Sequence, residues 1–144
     1  MTKSLTDFPP GVIFLPPGSG RKYSMGPMRS VFKADGPETD DRYCISEWWV
    51  DPHQPGSGPH LHEANEEIFY VIEGTMTFRV GEDWIDAPRG SFLRIPAGVV
   101  HDFENRTDSP AGIVNIYTPG GFEAEFMPKI MAWFESQSRN SDEP

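Results

Sequence analysis

Apolar residues recur at every second position over short stretches of this chain, the period of half-buried strands. Such stretches lie at residues 28–33, 43–50, 67–73, 75–80, 91–95, 99–104 and 112–117, with a shorter one at 60–62. Between them stand Glu73-Gly74, Gly81-Glu82-Asp83, Pro88-Arg89-Gly90 and Asp108-Ser109-Pro110, each rich in turn formers. No helical period interrupts the series, which predicts an all-β, double-sheet jelly roll. The stretch Ala34-Asp35-Gly36-Pro37-Glu38-Thr39-Asp40-Asp41 reads as an exposed acidic loop. Within the Pro/Gly-rich first 22 residues, Val12-Ile13-Phe14-Leu15 is the one strand-like run, a candidate edge strand or contact with a second copy. Near the other end the period changes. Phe122, Phe126, Ile130 and Trp133-Phe134 recur at three- to four-residue steps, predicting an amphipathic helix packed on the sheets. Pro128 places the start of its regular part near that residue, with proline in the first turn, and the tail from Ser136 is polar. The chain thus divides into an arm over 1–22, a β barrel over 23–120 and a helix with tail over 121–144.

Composition narrows the function classes. At 144 residues the chain has the size of one domain with a real core, and its 15 prolines and 14 glycines suit many short strands. A net charge of −10 argues against nucleic acid or an anionic membrane surface as partner. The single Cys44 cannot form an internal disulfide and lies in an apolar run, where it reads as a small core residue. The first ten residues lack a cationic start followed by an apolar stretch, and no uncharged run approaches membrane-spanning length. The expectation is a soluble, cytoplasmic protein.

The histidines carry the chemistry. His60 and His62 share a face on an extended chain, so both can reach one ion. With a carboxylate and a third histidine, His101, they form a mixed nitrogen and oxygen set. Such a set suits a first-row divalent metal: Fe, Mn, Ni, Co, Cu or Zn. Two carboxylates compete for the remaining position. Glu66 keeps the histidines' parity if the strand runs straight, whereas Glu67 needs a register reset in the polar stretch Glu63-Ala64-Asn65-Glu66. His53 sits among three prolines and two glycines in residues 51–59, and reads as a loop histidine rather than an outer ligand or base.

Gly58, His60, His62, Glu67 and Gly74 form one block and Gly90, Pro96, Gly98, His101 and Asn105 a second, which together resemble the two motifs of the cupin superfamily. The second block fits at every named position; the first fits from His60 onward, its leading glycine being displaced because Gln54 stands where glycine is expected. The resemblance implies a cupin double-stranded β-helix with a C-terminal helical segment, and it names Glu67 as the ligand beside His60, His62 and His101. The approach Tyr117-Thr118-Pro119-Gly120-Gly121-Phe122-Glu123 is similar to small quercetin-dioxygenase-like cupins. No second copy of the two blocks is present, as in a monocupin. That likeness implies a metal-dependent dioxygenase in which Glu67 also accepts a substrate proton. The substrate would be a small aromatic or enolisable chelator. The alternatives are a non-redox isomerase, epimerase or lyase, and a non-catalytic small-molecule-binding module. By parity with Glu67 and His101, the pocket wall would include Phe69, Val71, Val99 and Phe103, with Met76, Phe78 and Val80 on the strand between, unless these are plain core. Arg79 and Arg94 would face solvent. Uncovered sheet edges, with the run at 12–15, predict a homodimer.

Overall fold

The computed structural model describes residues 8–141. Its strands are β1 (Arg21–Ser24), β2 (Met28–Ala34), β3 (Cys44–Val50), β4 (Glu66–Glu73), β5 (Thr75–Val80), β6 (Asp83–Pro88), β7 (Phe92–Ile95), β8 (His101–Glu104) and β9 (Ala111–Thr118); its helices are α1 (Gly36–Thr39) and α2 (Phe122–Ser141). The period-2 pattern decides which side chains turn inward. Met28, Ser30, Phe32 and Ala34 of β2, Cys44, Ser46, Trp48 and Val50 of β3, and Ala111, Ile113, Asn115 and Tyr117 of β9 are all buried, with their neighbours half-buried on the outer face of most strands. These strands belong to a six-stranded antiparallel sheet of order β1-β2-β3-β9-β4-β7. A three-stranded sheet, β6-β5-β8, faces it, with Met76 and Phe78 of β5 in the shared core. The result is the two-sheet cupin jelly roll that the motifs implied.

Four local expectations are corrected by pairing and packing. Residues 60–62 form no strand of their own; His60 makes an isolated bridge with His101. The acidic stretch is not an exposed loop, because Ala34, Asp35, Gly36 and Thr39 are buried around α1. Residues 12–15 are exposed and pair with no strand among the described residues. Finally, β6 escaped the alternation test because five of its six residues are exposed, and its hairpin pairing with β5 alone makes it a strand.

The helix shows how a distant side chain overrides local signals. Pro128 lies well inside α2 and not in its first turn. The start is set instead by Asp35, whose Oδ1 accepts the Gly121 N–H and whose Oδ2 accepts the Glu123 N–H, both at 2.7 Å. These are donors that a helix N-terminus leaves without internal partners. The same carboxylate caps α1, accepting from Gly36 N at 2.7 Å. Pro128 is tolerated because it and Ala124 are exposed, so water can satisfy the carbonyl that the missing N–H frees. Asp35 is 2 % exposed, so its loss would orphan buried donors. Asp35→Ala should cost about 2–4 kcal/mol, given the loss of a cap and of buried hydrogen bonds. Urea midpoints together with helical circular dichroism would check this; an unchanged midpoint would remove Asp35 from this role.

Candidate metal centre

The two histidine blocks meet through backbone contacts. His60 N–H donates to His101 O at 3.0 Å, His101 N–H donates to His60 O at 2.8 Å, and Gly98 N–H donates to His62 O at 2.8 Å. Residues 60–62 therefore run alongside the approach to β8, and both histidines of the first block face His101. Ring centroids are 5.3 Å apart for His60 and His62, 4.5 Å for His60 and His101, and 5.5 Å for His62 and His101. Gly98 holds this turn at φ +85°, a conformation that side chains other than glycine rarely adopt. Upstream, Gly56 crosses β8 so closely that an added Cβ would lie 2.1 Å from the Phe103 carbonyl. Of the two glycines nearest the position where the motif's leading glycine is expected, Gly56 thus serves as a close-approach point, while Gly58 has open space around it.

A bend at Glu63 and Ala64, held by Asn65 Nδ2 donating to Pro119 O at 2.9 Å, resets the register before β4. Glu67 then points inward and is 3 % exposed, while Glu66 turns outward to pair with Arg94 at 2.6 Å. Glu67 Oε1 lies 2.6 Å from His62 Nε2 and 3.4 Å from His101 Nε2. Its Oε2 accepts from Asn115 Nδ2 at 2.8 Å. One donor atom from each of His60, His62, Glu67 and His101 can be chosen so that all lie within 4.8 Å of one another.

The hydrogen-bond pattern suits an ion. His62 Nε2, Glu67 Oε1 and His101 Nε2 are fully buried and have no aligned hydrogen-bond partner, despite their short separations. Buried polar atoms are rarely left so. The other ring nitrogens of two histidines are engaged: His60 Nδ1 with Gly58 O at 3.0 Å and His101 Nδ1 with Val99 O at 2.9 Å. As Nδ1–H donors to carbonyls, they leave Nε2 with a free lone pair toward the shared centre. Burial opposes charge on Glu67, but His101 and His62 outweigh it and hold its carboxyl down at about 2. Burial lowers the pKa of His60, whereas at His101 the Glu67 carboxylate outweighs burial and raises it. Three imidazoles around one carboxylate can hold a borderline divalent ion and leave positions open on it.

Two cavities adjoin the centre. The inner one, about 40 Å³, touches Trp48, His60, Glu67, Phe103, Asn115 and Phe122; the outer, about 340 Å³, opens between His60, His62 and α2. Phe103 was anticipated in this wall. Phe69, Val71, Met76 and Phe78 are core instead, each at most 2 % exposed and in neither wall. Val99 is half-buried and contributes its carbonyl to His101, while Val80 packs against the core. Arg94 is exposed; Arg79 is half-buried, its Nε donating to Gly81 O at 2.8 Å. His53 lies away from the centre, exposed and paired with Asp108. Asn115 was missed, although a lone amide among the inward positions of β9 was a readable signal. The α2 residues were missed because nothing local says where that helix docks.

Comparison with known proteins agrees with this geometry. The sequence model of the cupin domain matches residues 46–117, which include both histidine blocks. Over 128 residues the chain is 32 % identical to quercetin 2,3-dioxygenase of Bacillus subtilis, covering 85 % of this chain and 36 % of that protein. The chain thus spans about a third of that relative's length. Among solved structures, KdgF from Halomonas sp. superposes with a TM-score of 0.68 at 14 % identity, over 78 % of this chain and 98 % of that one. The polyketide cyclase RemF from Streptomyces resistomycificus gives 0.57 at 24 % identity, over 64 % and 65 % of the two chains. With both motifs in place on a two-sheet jelly roll, the chain belongs to the cupin family.

Proposed function

We propose that the chain is a metal-dependent dioxygenase acting on a small aromatic or enolisable chelating substrate. The set of His60, His62, Glu67 and His101, the last three buried and each with a donor atom lacking a partner, carries the reading. The likeness to the Bacillus quercetin 2,3-dioxygenase supplies the reaction class. One divalent ion, Fe, Mn, Ni, Co, Cu or Zn, would be held by these four residues, and when bound would supply open positions that acidify a chelating enol or phenol and admit dioxygen. The rest falls to the protein. His60 and His101 are fixed by their carbonyl partners, Asn115 orients Glu67, and the apolar wall of Trp48, Phe103 and Phe122 excludes water. Glu67 would accept the substrate's hydroxyl proton. A carboxyl held at about 2 is by itself a better ligand than base, so this role depends on a strongly acidified substrate. The non-redox isomerase, epimerase or lyase reading is weaker for phosphorylated sugars, because the outer wall carries only one lysine or arginine.

His62→Ala and His101→Ala should each lower metal content several-fold, and the double variant should bind almost none, with the fold kept. Elemental analysis after anaerobic purification would check this. Glu66→Gln should leave occupancy nearly intact, and stoichiometric metal in the double histidine variant would sink the ligand set.

Glu67→Gln should retain much of the metal, because an amide oxygen can still coordinate, while slowing oxygen uptake by about 10²–10⁴-fold, the usual contribution of a general base. Parallel losses of metal and rate would make Glu67 a ligand only. No oxygen uptake with flavonols or diketones, after separate reconstitution with Fe, Mn, Ni, Co and Cu, would favour the binding-module reading.

We also propose that the chain assembles as a homodimer, with the exposed run at 12–15 covering a second copy. Val12 and Phe14 are 50 % and 56 % exposed, which leaves an apolar segment for such a contact. Light scattering should then give twice the 16.2 kDa chain mass at micromolar concentrations; a value of one chain would refute it.

A further inference from the structure

The outer cavity has an unequal wall. One side is the histidine loop, with His60, Leu61 and His62; the other is α2, with Phe126, Lys129 and Trp133. Leu61 and Trp133 are large apolar groups left 43 % and 38 % exposed at its rim. Phe126 meets the His62 ring at 5.1 Å between centroids, so the aromatic wall reaches the metal centre itself. Lys129 is the one lysine or arginine in this wall. Its Nζ stands 5.9 Å from the centre of the Phe126 ring, and no carboxylate pairs with it among the described residues. A cation with no carboxylate partner among the described residues is therefore separated from the His62 ring by a single aromatic side chain. It sits in a chain of net charge −10, whose overall field would otherwise repel an anion.

We propose that Lys129 anchors the anionic group of an aromatic monocarboxylate whose rings lie on Phe126, Trp133 and Leu61. The inference deepens the function proposed above and rests on this cavity being the substrate entrance. One ammonium matches one carboxylate; a phosphate dianion would call for more cations or a guanidinium fork. The apolar wall accommodates flat rings, and a cavity of about 340 Å³ has room for one or two of them. The steps of 5.9 Å and 5.1 Å from Nζ through Phe126 to His62 set an upper limit on the span, short enough for an acid of two fused rings anchored at Nζ to bring its far end toward the metal ligands. Lys129 is thus a specificity residue that fixes which end of the substrate enters first.

Calorimetric titration with 2-naphthoate and its neutral counterpart 2-naphthamide tests this, using metal-free and zinc-loaded protein. The acid should bind about fivefold more tightly than the amide at low salt, the upper range for a solvent-accessible ion pair. The preference should shrink as salt rises, vanish in Lys129→Met and persist in Lys129→Arg, with circular dichroism unchanged. Equal affinities in the unaltered protein, no binding of either compound, or a preference that survives Lys129→Met would overturn the proposal. A preference confined to zinc-loaded protein would overturn it too, by placing the carboxylate on the metal. The dioxygenase reading fails separately: oxygen uptake would be absent while the Lys129-dependent preference remained.

Discussion

A carboxylate that is 3 % exposed between two apolar sheets is the constraint on which the centre depends. An isolated ionised group there would be expelled or protonated. Glu67 remains an anion because two imidazoles stand beside Oε1 and an amide donates to Oε2. Those neighbours come from separate parts of the chain: His62 from the loop before β4, His101 from β8 and Asn115 from β9. Register supplies the rest. Glu67 pairs with Tyr117 on β9 while Asn115 lies opposite Phe69, so the amide reaches Glu67 from the neighbouring rung. The same convergence leaves three buried donor atoms without aligned partners, a pattern that a bound cation would resolve.

The second motif contributes structure as much as chemistry. Asn105, 1 % exposed, donates to the carbonyls of Val50 and Ser109, while its Oδ1 accepts from the backbone and hydroxyl of Thr107. It ties the end of β3 to the turn after β8, the strand that His101 begins. Gly98 and Gly56 act on the same junction, one by its backbone conformation and the other by close approach. The ligands are held by rigid backbone bridges and buried amides, the condition under which a site keeps its geometry.

The helix α2 turns the surroundings of the candidate metal centre into a pocket. Phe122, buried at its start, contacts Phe32, Trp48 and Tyr117, and Phe126 packs on His62. Its position is secured by Asp35 at one end and by Arg21 and Tyr23, both bonded to Glu123, alongside. The outer cavity's wall along α2 is therefore set by contacts between the helix and strands from both ends of the chain.

Much of this was legible in the sequence. Alternation located most of the strands, because a strand with one face buried must place apolar groups at every second position. The grouping of His60, His62, Glu67 and His101 was legible from their offsets because residues able to share an ion must converge, and the structure brings the four together. What the residues alone left open was Glu66 against Glu67. That choice depends on the bend at Glu63 and Ala64, which is pinned by a hydrogen bond to Pro119 from far along the chain. The exposed strand β6, the buried α1 stretch and the true start of α2 were hidden for the same reason. Each is fixed by a partner distant in sequence: β5 for the first, the core around Asp35 for the second, and the Asp35 carboxylate for the third. Local pattern reports which face of a segment avoids water. Which segment covers that face, and which amide or carboxylate meets its ends, is decided only when the chain has closed on itself.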